Sequence, residues 1–94
     1  MKFHISRTAK QDLEDIFLYW AQHANVAAAD RLIDAIMDRF WLLGEHPEAG
    51  VLCKQIAPQI RCFPAGKYLI YYRHKRGVTE ILHIYHSAKK RLHK

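Results

Sequence analysis

The hydrophobic pattern of this 94-residue chain changes its period close to residues 44–50, and that change constrains the possible folds most strongly. Before it, apolar residues recur every three or four positions, which is the period of an amphipathic helix. After it come short runs rich in Ile, Tyr, Phe and Val, which are typical of strands. Helices followed by a group of strands indicate an α+β domain with its helices packed on one face of a sheet.

The N-terminal half is predicted to form two helices joined by a very short turn. Ser6 is a candidate N-cap for a helix over residues 7–23, and Asn25 can cap a second helix over residues 26–43. Gly44 is expected to end the second helix. A connection this short predicts an antiparallel helix hairpin. The expected core residues are Leu13, Ile16, Leu32, Ile36, Phe40 and Ile70.

The C-terminal half is predicted to be a three-stranded antiparallel meander over residues 60–63, 68–74 and 78–85. A short strand at residues 3–5 precedes the helices, so the whole chain is predicted to be a single domain, residues 1–94, of order β-α-α-β-β-β. Helices on one face would leave the other face of the 68–73 strand uncovered. Its apolar side chains, together with the aromatic rings of the helices, are therefore candidate partner contacts, namely Tyr19, Trp20, Trp41 and Tyr71.

The charge and the N-terminus restrict the partners and the compartment. Lys and Arg number 15 against 9 acidic residues, a net charge of +6, which favours polyanions or acidic proteins as partners. The N-terminal residues carry no apolar secretion signal, so a cytoplasmic protein with Cys53 and Cys62 as free thiols is expected. The longest apolar runs are far shorter than the ~20 residues that span a bilayer, so no membrane partner is expected.

Motifs for common catalytic chemistry are missing from the sequence. The seven histidines and two cysteines follow no zinc-ligand spacing, Ser6 and Ser87 lie in no GxSxG context, and there is no phosphate-binding glycine loop. We therefore expect no metal and no cofactor. The remaining chemistry is a set of basic residues interleaved with tyrosines in the C-terminal half, an arrangement common in nucleic-acid binders, although strand aromatics are as often core residues.

The ordered set of elements and local motifs resembles the RelE/ParE toxin superfamily, and specifically its ParE-like branch. The matching features are Ser6 to Ile16 with Ala9, Asp12 and Leu13, then Ala29 and Leu32, the Pro47-x-x-Gly50 turn, Arg61, Tyr68 to Tyr72, and Ile81 to His86. The resemblance implies a RelE-like fold and the toxin half of a type II toxin-antitoxin module, of the kind associated with plasmid stabilisation and growth inhibition. It also implies a toxin-antitoxin hetero-oligomer, in which a cognate acidic antitoxin, ParD-like or similar, wraps this chain.

The branches of this superfamily differ in their target. RelE-like members cleave messenger RNA in the ribosome, and characterised ParE-like members bind and poison DNA gyrase. A ribonuclease would use Arg61, Tyr85, His86 and Lys54. The ending Tyr85-His86-Ser87-Ala88-Lys89-Lys90 is more similar to the H-x-x-[RK] ending of ParE-like chains than to nuclease endings.

This ending favours a gyrase-binding toxin with no catalytic residues, and the alternatives are a ribosome-dependent mRNA endoribonuclease and an inactive antitoxin-binding module. The expected target-binding residues are Arg61, Arg73, Lys89, Lys90 and Arg91.

Overall fold

The computed structural model describes residues 2–87. Within that range the chain forms two α-helices, one short 3-10 helix and five strands, which confirms the α+β class. The elements in chain order are β1 (Phe3–Ile5), α1 (Arg7–His23), α2 (Val26–Glu45), the 3-10 helix (Pro47–Ala49), β2 (Val51–Leu52), β3 (Arg61–Ala65), β4 (Tyr68–Lys75) and β5 (Val78–His86). Across residues 2–87, no helix has the length and apolar character that crossing a membrane requires.

The sheet contains the predicted meander and extends it on both sides. Its strand order is β1-β5-β4-β3-β2, and β3, β4 and β5 pair antiparallel as expected. β1 pairs parallel with β5, so the sheet is mixed rather than purely antiparallel. The direction of a three-residue strand is not encoded in its period, because it depends on how the helix hairpin returns the chain to the sheet. β2 pairs with β3 at the opposite edge.

Both predicted helices form, and α2 is two residues longer than expected. The Ser6 hydroxyl accepts from the Ala9 N–H at 3.0 Å, and the Asn25 side chain accepts from the Ala28 N–H at 2.7 Å. The expectation that Gly44 ends α2 is wrong, because the helix continues to Glu45. A Cβ atom at Gly44 would lie 3.2 Å from the Lys2 Cβ, so this glycine allows the chain start to pass close to the helix.

The core lies between the helix hairpin and the face of the sheet that it covers, here called the front face. Ile36, Phe40 and Ile70 are fully buried and Ile16 is nearly so, which confirms the predicted stripes. Leu13 and Leu32 are partly buried against the same cluster. On β4 the front face carries Tyr68, Ile70 and Tyr72, because alternate residues of a strand point to the same side.

The other face of the sheet, the back face, is covered more than the sequence indicated. Tyr71 is only 7% exposed and forms a second cluster with Ile60 and Cys62. Cys53 and Ala57, from the segment between β2 and β3, pack on this cluster. The expectation of an uncovered aromatic face at β4 is therefore wrong, because the chain folds its own β2–β3 connection across it.

Cys53 and Cys62 form a disulfide, so the expectation of free thiols is wrong. The Cys53 N–H donates to the Ile60 carbonyl at 2.7 Å, which continues the β2–β3 ladder by one residue and brings Cys53 diagonally opposite Cys62. Their Cα atoms are 6.1 Å apart, within the range that a disulfide spans. The sequence holds no sign of this pairing, because it follows from the strand register and not from a motif.

We expect reduction of this disulfide to destabilise the fold. The bridge joins cysteines separated by 9 residues, and opening a loop of this size lowers the free energy of unfolding by about 2 to 3 kcal/mol. Urea unfolding followed by circular dichroism, with and without dithiothreitol, measures the difference. The double variant Cys53→Ser, Cys62→Ser is the control, and it should match the reduced protein and not respond to dithiothreitol. An unchanged midpoint on reduction of the unsubstituted protein would contradict a stabilising bridge.

Candidate functional site

A groove of about 620 Å³ lies between α1 and the C-terminal half of β5, and we call it the α1–β5 groove. It is lined by Asp12, Asp15, Ile16, Tyr19, Trp20, Lys67, Tyr68, Ile84, Tyr85 and His86. These residues combine aromatic rings with carboxylates and two basic side chains. The groove therefore offers both apolar area and hydrogen-bonding groups to a partner.

The floor of this groove depends on how α1 is attached to the edge of β5. β1 pairs with β5 only as far as Ile81, so the backbone groups of β5 beyond that point need other partners. The Ser6 hydroxyl donates to the Leu82 carbonyl at 3.1 Å, and the Asp12 carboxylate accepts from the Ile84 N–H at 2.9 Å. The same carboxylate oxygen contacts His83 Nδ1 at 3.0 Å. Helix α1 thereby acts as a substitute for a neighbouring strand.

Asp12 is the functional-site residue that sequence reasoning missed. The helical pattern puts it beside the apolar stripe of α1, where a carboxylate is usually exposed to solvent. Its role depends on the edge of β5, which is 71 and 72 residues further along the chain at the two contacts. The available signals were its place in the Ser6 to Ile16 motif of the family resemblance and its position next to a core-facing leucine, Leu13.

The aromatic side of the groove is built by neighbouring residues of α1. The Trp20 indole N–H donates to the Tyr68 hydroxyl at 2.8 Å, so this ring is half-buried and not uncovered as expected. The Tyr68 ring in turn meets the His86 ring edge-on, at 5.2 Å between centroids. Tyr19 is 52% exposed and its ring stacks on His23 at 4.1 Å. Tyr19 is thus the accessible ring of the groove, and Trp20 supports it.

The other two candidate partner contacts, which the family resemblance predicts to bind the antitoxin, lie outside the groove. Trp41 is 51% exposed on α2, where its ring packs edge-on against Phe3 at 5.0 Å. Tyr71 is buried on the back face, and its ring contacts that of Tyr85 at 5.4 Å. The structure therefore brings Tyr19 and Trp20 together but separates them from Trp41 and Tyr71.

A second arrangement, the Tyr72 cluster, joins the turn after α2 to the sheet. It consists of Pro47, Gly50, Arg61 and Tyr72. The Tyr72 hydroxyl donates to the Pro47 carbonyl at 2.6 Å and accepts from the Gly50 N–H at 2.8 Å. The Arg61 guanidinium donates to the Gly50 carbonyl at 2.7 Å. A Cβ atom at Gly50 would lie 2.5 Å from the Tyr72 hydroxyl oxygen, so this position requires glycine.

Burial raises the pKa of Tyr72 above its ordinary value, and the hydrogen bond from Gly50 opposes that effect only in part. The hydroxyl therefore stays protonated near neutral pH and can keep donating to the Pro47 carbonyl. The Pro47-x-x-Gly50 turn, Arg61 and the Tyr72 strand, which are separate features in the sequence, meet in this one cluster.

The residues expected to serve a ribonuclease are not gathered into one site. Arg61 pairs with Tyr72 near the middle of β4, whereas His86 pairs with Tyr68 at the start of that strand. Four residues of strand separate these positions, or about 13 Å along β4. Tyr85 precedes His86, so its side chain points to the opposite face of the sheet. Lys54 is exposed beyond the far edge, after β2.

The expected target-binding residues are also divided. Arg61 shares the front face with its cross-strand partner Tyr72, so Arg73 points to the back face, where its Nε donates to a Glu80 carboxylate oxygen at 2.7 Å. Lys89, Lys90 and Arg91 lie outside the described residues. Among residues 2–87 no group of three His, Cys, Asp or Glu side chains is arranged to hold a metal ion.

Comparison with known proteins assigns the family. A family model described as the ParE toxin of the type II toxin-antitoxin system, parDE, matches residues 3–91. The chain is 29% identical over 87 residues to toxin ParE1 of Caulobacter vibrioides, an alignment that covers 92% of this chain and 88% of that toxin. A solved structure of a chromosomal ParDE TA system from P. aeruginosa superposes with a TM-score of 0.80 at 19% identity, covering 92% of this chain and 95% of that one, and so shares its fold.

The chain therefore belongs to the ParE toxin family of type II toxin-antitoxin systems. The resemblance inferred from the sequence motifs is confirmed by this match.

We expect Asp12→Ala to loosen the floor of the groove. The substitution leaves the Ile84 N–H without its acceptor, and an unsatisfied buried donor costs about 1 to 3 kcal/mol. Amide hydrogen exchange followed by NMR should show faster exchange at Ile84, with a lower urea midpoint. Glu14→Ala, which removes an exposed carboxylate from the same helix, is the control and should leave both measurements unchanged. Equal effects of the two variants on exchange and on the urea midpoint would contradict this role, because they would show that only the negative charge of Asp12 matters and not its hydrogen bond to Ile84.

Proposed function

We propose that this toxin inhibits DNA gyrase by direct binding in the cytoplasm and that a cognate antitoxin neutralises it. Membership of the ParE family supports this proposal, because characterised ParE-like toxins poison gyrase. In this proposal the protein is a binding inhibitor and not an enzyme, and it forms a hetero-oligomer with its antitoxin.

One observation supports inhibition by binding rather than by catalysis: the candidate phosphate-binding and proton-transfer groups, Arg61 and His86, lie far apart. General acid-base cleavage of RNA needs its groups within hydrogen-bonding reach of one phosphate. Arg61 and His86 lie two strands apart and about four residues apart along the sheet. The Arg61 guanidinium also donates to the Gly50 carbonyl, which gives this arginine a role in the fold. This separation supports a surface-binding toxin over a nuclease.

The α1–β5 groove is the proposed antitoxin site. Tyr19 combines an exposed ring with a fixed position against Trp20 and His23, and rigid aromatic anchors of this type dominate protein interfaces. The net charge of +6 favours an acidic partner, ParD-like or similar. Trp41 stays a proposed contact of a partner that wraps further around the chain. Tyr71 also stays a proposed contact, but at 7% exposure it offers a partner little direct area.

Gyrase contact is proposed for the basic residues of the C-terminal half, namely Arg61, Arg73, Lys89, Lys90 and Arg91. Cations of this kind can supply most of the electrostatic attraction to an acidic protein surface. Arg61 and Arg73 make contacts within the fold, so their substitution would change stability as well as binding, and the test below uses Lys89, Lys90 and Arg91.

Tyr19→Ala should weaken antitoxin binding by about tenfold or more, the usual effect of removing an aromatic anchor. The partner is the product of the open reading frame adjacent to the toxin gene, and titration calorimetry measures the affinity. Leu18→Ala is the matched control, because Leu18 is 56% exposed on the same helix but does not line the groove. If Trp41→Ala weakens binding and Tyr19→Ala does not, the antitoxin uses α2 and not the groove.

Expression without the antitoxin should stall DNA replication, cause filamentation with an SOS response, and leave messenger RNA intact. The purified toxin should trap gyrase on cleaved DNA. Charge reversal of Lys89, Lys90 and Arg91 should reduce this trapping, whereas His86→Ala should retain it. Codon-resolved cleavage of messenger RNA on ribosomes, abolished by His86→Ala, would contradict the proposal in favour of the endoribonuclease function. Antitoxin binding with no effect on growth would instead indicate an inactive module.

A further inference from the structure

A concave basic surface lies at the β4–β5 turn, at the end of the sheet away from the α1–β5 groove. We call it the hairpin patch, and it is lined by His4, Arg73, Lys75, Arg76, Val78 and Glu80. Within the described residues it brings three cations together with a single carboxylate. From this arrangement we infer that the hairpin patch binds the phosphate backbone of duplex DNA.

The first argument is the orientation of the cations. Arg73 and Lys75 are two residues apart on β4, so both side chains project from the back face. The Glu80 carboxylate holds Arg73 through its Nε at 2.7 Å. In the part of the chain that the structure describes, the Nη groups of Arg73 have no other hydrogen-bond partner. A guanidinium fixed at Nε with its outer N–H groups accessible is prepared to donate to a phosphate.

The second argument is the residue at the tip of the hairpin. Arg76 has a φ of 55° and Gly77 a φ of 78°, which is the geometry of a two-residue type I′ turn. The first position of such a turn favours Asn, Asp or Gly, because a positive φ is unfavourable for other side chains. An arginine there has an unfavourable backbone conformation and adds nothing to turn formation. Arg76 is exposed at this tip, and we attribute its presence to its charge.

The composition of the patch favours DNA over an acidic protein. Protein interfaces depend on buried aromatic or large apolar anchors, and the described residues that line the patch include no Phe, Tyr or Trp. Phosphate contacts require only Arg, Lys and polar groups. The lack of Phe, Tyr and Trp also favours duplex over single-stranded DNA, since single-strand binders stack successive bases on aromatic side chains, and among the described lining residues only His4 has a ring.

This inference does not depend on gyrase inhibition, because it concerns the toxin and DNA alone. The test measures binding of the full-length toxin to a fluorescein-labelled duplex by anisotropy at several salt concentrations, with no gyrase present. The double variant Lys75→Gln, Arg76→Gln should lower the affinity by about tenfold or more and reduce the slope of log K against log salt by about 2. Failure here leaves the gyrase-trapping result unaffected, so the two proposals are tested separately.

The matched control is Lys10→Gln, Arg31→Gln, which removes the same charge from exposed positions on α1 and α2. It should change the affinity by less than about threefold, since these residues lie away from the patch. The C-terminal tail is identical in all variants and cancels in the comparison. An equal loss in both double variants would show attraction to total charge and would overturn the inference.

The variant Arg76→Asn distinguishes the contribution of Arg76 to DNA binding from its effect on the stability of the turn. Asparagine is favoured at this positive-φ position, so the variant should unfold at an equal or higher urea concentration while it binds duplex DNA several-fold more weakly. Unchanged DNA affinity would overturn a role for Arg76. Tighter binding of a single strand than of the duplex of equal length, or equal competition by polyglutamate at matched charge, would assign the patch to another partner and also overturn the inference.

Discussion

The hydroxyl of Tyr72 is the contact on which the connection between the two halves of this fold depends. The chain leaves α2 and must reverse at residues 47–50 to begin the sheet, and this hydroxyl binds the Pro47 carbonyl and the Gly50 N–H at the two ends of that reversal. A buried group of this kind must have its partners, because an unsatisfied one costs more than a hydrogen bond contributes. Arg61 satisfies the Gly50 carbonyl and so completes the arrangement. An arginine that resembles a functional residue in sequence is here also a structural one.

The exposed edge of β5 accounts for the groove. β1 is three residues long and leaves one edge of the second half of β5, the edge away from β4, without a neighbouring strand, so α1 supplies Ser6 and Asp12 as hydrogen-bonding partners there. A helix lying along a strand edge cannot follow it closely for its whole length, because its side chains hold the backbones apart. The space that remains beyond Asp12 is the α1–β5 groove, bordered by Tyr19 and Tyr68. The candidate binding site is therefore a consequence of how an open sheet edge is protected.

The sequence predicts those parts of the structure that depend on local periodicity or turn chemistry. Helix α1 has the predicted bounds, and both hairpin turns contain a glycine with positive φ, Gly66 and Gly77. The parts that were missed depend on register between distant segments. The disulfide requires the β2–β3 alignment, and the contact of Asp12 requires the β5 edge. The candidate site shows the same dependence on distant segments. Tyr19 and Trp20 were predicted as contacts from α1 alone, but the sequence did not show that residues of β5 complete their groove.

The relative position of the two proposed surfaces determines how they can act together. The groove includes Tyr68 and His86 at one end of β4 and β5, and the hairpin patch includes Lys75 and Val78 at the other. β4 has 8 residues, so the surfaces are about 25 Å apart along the strands. This distance exceeds the ~8 Å screening length of exposed charges at physiological salt, so a charged segment confined to the groove does not neutralise the patch. Because the groove contains aromatic anchors and the patch contains three cations against one carboxylate, the first suits a folded peptide and the second a phosphate backbone. One small domain thus presents chemically different surfaces at opposite ends of the same strands, so a segment that occupies only the groove does not cover the hairpin patch.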